Sequence, residues 1–338
     1  MVIDRASLAA IGLPVKEQLA AILNPDASTV IPSTVALQAT APSSSAGAKA
    51  ATSTAPVPAA AAKSKAKATS ESATAPVAAT GNDPAKLKPV TTDPVYFTDT
   101  YLFELDGCEI LEAFRPAQQP EGLLEGHVKF TVVLNRTIFH PQGGGQPADN
   151  GILSSKSLPE ISVTMVSMRK EDGAVLHDCT VEPAQADAWL AKVGTANVSC
   201  RVDADRRRLA ARVHSAGHLL DVAVTAVGLK WIPSKGYHFP DGPYVEYVLN
   251  DESRRIDPKK AGDKEAIIAD IQANIDRLVT EGGKVGVEYQ DGVRRIRMGD
   301  EECPCGGTHV RDFAEIGKVQ VKKVQNKQGN VRLAYTVS

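Results

Sequence analysis

The sequence predicts an α+β protein: a small β-barrel, then a two-layer α/β domain, with a disordered extension ahead of both. Three observations carry this. All 16 aromatic residues lie at or after Tyr96, so the first 95 residues have none with which to build a core. From Asp93 to about Cys200 the chain runs in short β-rich segments punctuated by turns. At Asp203 the apolar pattern changes to a helical period. With 338 residues, 43% hydrophobic and 23% charged, the composition is that of an ordinary soluble protein with material for two or three domains.

Residues 1–92 form the first segment. Between Ala39 and Thr80, 34 of 42 residues are Ala, Ser, Thr or Pro, which bury too little apolar surface to offset chain entropy. Ahead of them Leu8, Ile11, Leu13, Leu19, Ile22 and Leu23 allow only short amphipathic turns, interrupted by Gly12 and Pro14. The expectation is a disordered, inert leader, with a docking segment for a protein partner as the alternative.

Residues 93–202 read as the barrel. Strands are expected at Tyr101–Leu105, Cys108–Phe114, His127–Leu134, Ile161–Met168, Ala174–Cys179 and Asn197–Val202, with Asn150-Gly151 as a tight turn. No helical period interrupts them, and six closely spaced strands suggest closure. Residues 203–338 read as the α/β domain. Asp203 caps a helix over Arg206–Val227 that stops at Gly228, with Leu209, Val213, Ala216, Leu220, Ala223 and Val227 on its apolar face. A second helix, Lys264–Val279, carries Ile267, Ile268, Ile271, Ile275 and Leu278 at helical spacing. Strands are expected at Tyr244–Leu249, Val285–Tyr289, Val293–Met298, Val319–Val324 and Val331–Val337.

Bulk charge excludes an obvious nucleic-acid binder. The net is −2, divided as +2 over the first 95 residues and −4 over the rest, so any such contact must be local. Arg206, Arg207, Arg208 and Arg212, then Arg294, Arg295 and Arg297, then Lys318, Lys322 and Lys323 are the clusters on offer. No run of ~18 apolar residues offers a membrane span. Five scattered cysteines, and a first segment without a basic-then-apolar signal pattern, point to a reducing, cytoplasmic setting without a membrane.

The chemistry lies in three motifs. His214 and His218 stand four positions apart, so one helical face presents both imidazoles, as in two-histidine zinc grips. Cys305-Gly306-Gly307-Thr308-His309 adds a thiolate and an imidazole on a turn that glycine lets close tightly. The four side chains make a set for one zinc ion per chain, with Cys303 as a spare thiol. Phe139–Gly151 holds three successive glycines, Gly143, Gly144 and Gly145, followed by Gln146; it fits neither a P-loop nor a dinucleotide fingerprint and reads as a hairpin loop.

With Ser234-Lys235-Gly236 and Arg295–Asp300, and in this order, these motifs resemble the free-standing alanyl-tRNA editing proteins, the AlaX family, and are similar to the editing domain of alanyl-tRNA synthetase. The resemblance covers about 246 of the 338 residues, and the Gly-rich barrel matches the medium-length type. It implies a zinc-dependent editing domain of the threonyl/alanyl-tRNA synthetase second additional domain type. The implied activity is hydrolysis, in trans, of alanine tRNA mischarged with serine, and with glycine as a second candidate. It implies His214, His218, Cys305 and His309 as metal-binding and catalytic residues. Gly144, Gly145, Gln146, Ser234 and Thr308 are implied as substrate-binding. Backbone N–H groups of Gly306 and Gly307 are candidates for the oxyanion. Two alternatives remain open here: editing of threonine tRNA charged with serine, against which stands Gly-Thr-His where that family has Gly-Pro-His, and a non-catalytic zinc-stabilised tRNA-binding module.

Overall fold

The computed structural model describes residues 90–327 and 329–338. The expected leader and its docking alternative therefore lie outside the described residues, except at their last three positions. Those three are bound to the barrel: Val90 N–H donates to Asp172 (3.1 Å), Thr91 Oγ1 to Asp172 O, and Thr92 Oγ1 to Leu134 O (2.9 Å).

Two short strands, β1 (Asp93–Pro94) and β4 (Arg136–Thr137), pair in parallel. The barrel is built from β2 (Glu104–Phe114), β3 (Val128–Leu134), β5 (Gly151–Ser155), β6 (Leu158–Met168), β7 (Val175–Val181) and β8 (Asn197–Val202). They close in the order β2-β3-β7-β6-β5-β8, every pair antiparallel. Alternation along β7 shows why: Val175, His177, Cys179 and Val181 point inward, between residues half open to solvent. Ile110, Phe130, Val132, Leu134, Leu153 and Val163 fill the same interior.

Six strands are found, but not the six expected. Tyr101–Leu105 and Cys108–Phe114 are one strand, β2, kept continuous by an irregularity between Leu105 and Cys108 where Gly107 takes φ 70°. The sixth strand is β5, whose five residues are too short for a visible alternation. The turn expected at Asn150-Gly151 is not formed, because Gly151 is already the first residue of β5, paired with Val163 and Val202. The barrel also has a helix, α1 (Pro183–Leu190), where none was expected. Its signal was present: Pro183 at the first position, and Glu182 and Gln185 closing a capping box. Trp189 of α1 is fully buried and donates to Pro159 O (3.0 Å).

The second half carries α2 (Ala204–Ala226), β9 (Ile232–Tyr237), β10 (Tyr244–Val248), α3 (Asp263–Glu281), β11 (Val285–Gln290), β12 (Val293–Met298), β13 (Glu301–Pro304), β14 (Val319–Lys327) and β15 (Asn330–Val337). One antiparallel sheet runs β14-β15-β10-β9 and another β11-β12-β13. Asp203 caps α2 by accepting from the N–H groups of Asp205 and Arg206. Val213, Leu220 and Val224 of α2 share a core with Ile267, Ile271 and Ile275 of α3 and with Val245, Tyr247, Val331 and Leu333 of the larger sheet. Leu209, expected on that apolar face, is 37% exposed.

The seam between the halves corrects the reading of the arginine clusters. Arg207 is fully buried: its guanidinium pairs with Asp149 and donates to the carbonyls of Thr100 and Ile138. Arg206 donates to Ala148 O, and Arg212 to Ile316 O and Ser338 O. In the second cluster Arg294 is buried, Arg295 pairs with Glu302 and Arg297 with Glu288. Arg206, Arg207, Arg212 and Arg294 thus tie backbone together instead of awaiting phosphate. Arg208, Arg295 and Arg297 instead make ion pairs with carboxylates at partly exposed positions, and the three lysines of the last cluster are exposed.

His177 gives the barrel a pH dependence. It is fully buried between Thr137 Oγ1 and Val132 O, and burial pushes its imidazole down to about 4. In the unfolded chain it titrates near 6.5, so the unfolded state binds more protons between those values. Stability from this residue is full above about pH 6.5 and is lost as pH falls through about 4, a loss of about 3 kcal/mol. Urea unfolding of the protein and of His177→Gln between pH 7 and pH 4 checks this: the variant's curve should be flatter, and parallel curves refute it.

Candidate functional site

Three segments distant in sequence meet at one point. α2 brings His214 and His218, whose rings lie 5.1 Å apart and 24° from parallel. The loop after β13 brings Cys305 and His309; Cys305 Sγ lies 3.6 Å from His214 Nε2 and 3.3 Å from His309 Nε2. One ligand atom from each of the four residues lies within 4.8 Å of the others. The third segment is the barrel's Gly-rich loop. Gly143 and Gln146 exchange backbone hydrogen bonds around Gly144 and Gly145, whose φ values are 56° and 78°. A two-residue turn with both central φ positive requires such residues.

The loop delivers Gln146, fully buried, between the two half-sites. Its Oε1 accepts from Thr308 N–H (2.9 Å), and its Nε2 donates to Thr308 Oγ1 (2.8 Å). With the amide so oriented, His214 Nδ1, 2.8 Å from Oε1, must carry the proton, and His214 Nε2 is left with its lone pair toward Cys305. The other imidazoles are held from behind likewise: His309 Nδ1 faces Ser215 Oγ (3.1 Å), and His218 Nδ1 faces Cys303 Sγ (3.4 Å) and Asp221 (3.7 Å). Cys303, the spare thiol, therefore backs His218 from outside and is not among the four clustered side chains. Arg294 fixes the Cys305 turn by donating to Cys305 O (2.6 Å) and Gly307 O (3.1 Å). Gly307 is required by space, since a Cβ there would lie 2.2 Å from the His214 ring.

The electrostatics suit a cation. Burial, then the neighbouring histidines, hold His214 and His309 well below their usual range, so both are neutral. Burial opposes charge on His218, but Cys303 and Asp221 beside it hold its imidazole well above that range. Burial alone would raise the Cys305 thiol; His218, Arg294 and the Gly307 N–H pull it below its usual value. His218 Nε2 is buried without a hydrogen-bond partner, a cost of about 1–3 kcal/mol unless something fills the position. Three imidazole nitrogens, one thiolate and an outer partner for every ring are the donor set of a zinc site.

Among known proteins, the chain is 30% identical over 248 residues to the alanyl-tRNA editing protein AlaX-M of Pyrococcus horikoshii, covering 96% of that protein and 72% of this one. The chain belongs to the alanyl-tRNA editing protein family. A family model for the threonyl and alanyl tRNA synthetase second additional domain matches residues 293–333, and one for class II (A) tRNA synthetases matches residues 47–206. Similar too are the alanine–tRNA ligases of Neorickettsia sennetsu (29% over 225 residues, 62% of this chain) and Halobacterium salinarum (28% over 254 residues, 71% of this chain). The chain spans about a quarter of the length of these ligases.

Not every residue that the family resemblance implied converges. Gln146 and Thr308 do, satisfying each other, and Gly144 and Gly145 shape the turn that delivers Gln146. Gly307 N–H, one of the two oxyanion candidates, is directed at Cys305 Sγ (3.4 Å). Ser234 is not brought to the cluster: it is exposed on β9 and donates to Glu246 O.

Sequence reasoning missed His238. Its ring stacks on His214 at 4.5 Å, its N–H donates to Gly145 O (2.8 Å), and its Nδ1 donates to Tyr335 Oη, which itself donates to Val213 O. Glycines make its slot, since a Cβ on Gly217 or Gly236 would lie within 2.3 Å of the ring. A lone His in Gly-Tyr-His-Phe has no partner at ligand spacing, so nothing local marked it.

Proposed function

We propose that this chain is an aminoacyl-tRNA hydrolase of the cytoplasm. It removes serine, and with lower priority glycine, from mischarged alanine tRNA, using one zinc ion held by His214, His218, Cys305 and His309. The observation that carries this is the convergence of four ligand atoms within 4.8 Å beneath Gln146 and Thr308. Residues 93–202 serve as the barrel that supplies Gln146, and residues 203–338 as the editing domain that supplies the ligands. An error of this kind needs a second site, because a pocket built for a methyl group cannot strongly reject glycine or an added hydroxyl.

In the reaction, water adds to the ester carbonyl, the bond to the terminal ribose oxygen breaks, and that oxygen takes a proton as serine leaves with its carboxylate. Zinc, when bound, supplies Lewis-acid polarisation and a lowered water pKa. The protein's part is orientation. Gln146 fixes the His214 tautomer, Ser215 and the Cys303–Asp221 pair hold the other rings, and Arg294 locks the turn. Gly306 N–H is the donor left for the developing oxyanion once Gly307 N–H is spent on the thiolate. Gln146 and Thr308 form one polar unit beside the ligands, which suits recognition of a hydroxyl that alanine lacks.

The test is deacylation of seryl-, glycyl- and alanyl-charged alanine tRNA and of seryl-charged threonine tRNA. Serine release from alanine tRNA, with alanine spared, is expected. Equal release from all four refutes the reading, and cleavage of the threonine tRNA ester alone transfers the chain to that substrate. Gln146→Ala is expected to weaken zinc binding about 10–100-fold, as outer partners of histidine ligands do, measured by competition with a chelating dye. Unchanged affinity would show that Gln146 does not orient His214.

A further inference from the structure

On the outer face of the larger sheet lies a stack of flat groups beside the candidate site. Phe239 stacks on Tyr237 with centroids 4.6 Å apart and planes 12° from parallel. Tyr237 stacks on Tyr244, its partner across β9 and β10, at 5.4 Å and 18°. Arg332 closes that end, its guanidinium 3.8 Å from the Tyr244 ring centroid, and is held there by Glu246. Cross-strand pairing accounts for Tyr237 on Tyr244. It does not account for Phe239, which lies beyond the end of β9 with no cross-strand partner. Among the described residues, Tyr237 is the ring that Phe239 meets, and no ring or guanidinium covers its other face.

Half-buried Phe239, at the end of the stack, directly follows His238 in the chain. His238 points inward onto His214 while its N–H holds the Gly-rich loop at Gly145 O; alternation along the chain sends Tyr237 and Phe239 to the opposite side. Lys235, on the same outer face as Tyr237, is exposed. An aromatic face one residue from the site, with an ammonium two residues from the stack, is the composition of single-stranded nucleic-acid subsites, where bases stack on rings and phosphate meets lysine.

We propose that half-buried Phe239, on the side turned from Tyr237, is a nucleobase-stacking subsite for the unpaired 3′ end of the tRNA, with Lys235 against its phosphates. This rests on the reading of the site as an ester hydrolase for aminoacyl-tRNA, because the ester sits on the terminal ribose and its base must lie near the cluster. Stacking on a ring is sequence-tolerant, so the subsite positions the 3′ end without selecting the tRNA.

The probe is a short single-stranded RNA ending in C-C-2-aminopurine, added to the full chain without any aminoacyl group. Binding is expected to quench the terminal fluorophore. Phe239→Leu is expected to abolish the quench and weaken affinity about tenfold, and Phe239→Trp to restore both. An RNA with an abasic 3′ terminus is expected to bind the unmodified protein about tenfold more weakly than the intact probe, a comparison that needs no variant. With charged tRNA, the Phe239→Leu loss should fall mainly on KM. No quench, a quench unchanged in Phe239→Leu, or equal binding of the abasic RNA overturns the proposal. Because binding is read without the ester, absence of hydrolysis counts against the reading of the site and not against the subsite.

Discussion

Cys305→Ala is expected to leave the protein folded but unable to retain zinc, with deacylation reduced by at least about 100-fold. That floor follows from outer partners of metal ligands, whose loss alone costs 10–100-fold. Removal of Cys305 does more. It takes away the one thiolate, and with it the negative charge that faces a divalent ion beside the neutral imidazoles of His214 and His309. Metal analysis of the purified variant, with circular dichroism as the fold control, gives the answer. Full zinc occupancy in Cys305→Ala would overturn the ligand assignment. Activity that survives complete chelation of the unmodified protein would leave the ion with a structural role only.

Asp149→Ala is expected to be the most destabilising single change at the seam, by about 3–5 kcal/mol, because it strands the buried Arg207 guanidinium. Asp149 also accepts the His140 N–H (2.6 Å), so the loss reaches the start of the Gly-rich loop. Against a total of about 5–15 kcal/mol this is a large share. Denaturant unfolding measures it, and the paired change Asp149→Leu with Arg207→Leu separates the causes. Removing both charges should recover part of the loss, since neither group is then buried uncompensated. A single variant within about 1 kcal/mol of the parent would show that the pair does not carry the seam.

Local patterns in the chain foretold a great deal. The Asp203 cap and the helix behind it are read from neighbours in sequence, because capping and helical periodicity act over a few residues. The spacing that puts His214 and His218 on one face is of the same kind. Errors fell where the signal was short or tertiary: β5 has five residues, and α1 has eight. Leu209 obeys the helical period yet stands outside the shared core, 37% exposed.

By itself the sequence determined an α+β chain in which two half-motifs hold zinc-ligand chemistry, and the company of a Gly-rich loop that gave them meaning. Only the tertiary structure decided which polar residues are consumed in holding the molecule together. Arg207 and Arg294 look like phosphate contacts in a string of basic residues, but each is buried and committed to carbonyl or carboxylate oxygens. His238 looks solitary, yet it stacks on His214 in a slot cut by Gly217 and Gly236. The reason is physical: a buried charge or imidazole survives only where donors and acceptors surround it, and those groups come from segments that sequence distance keeps apart.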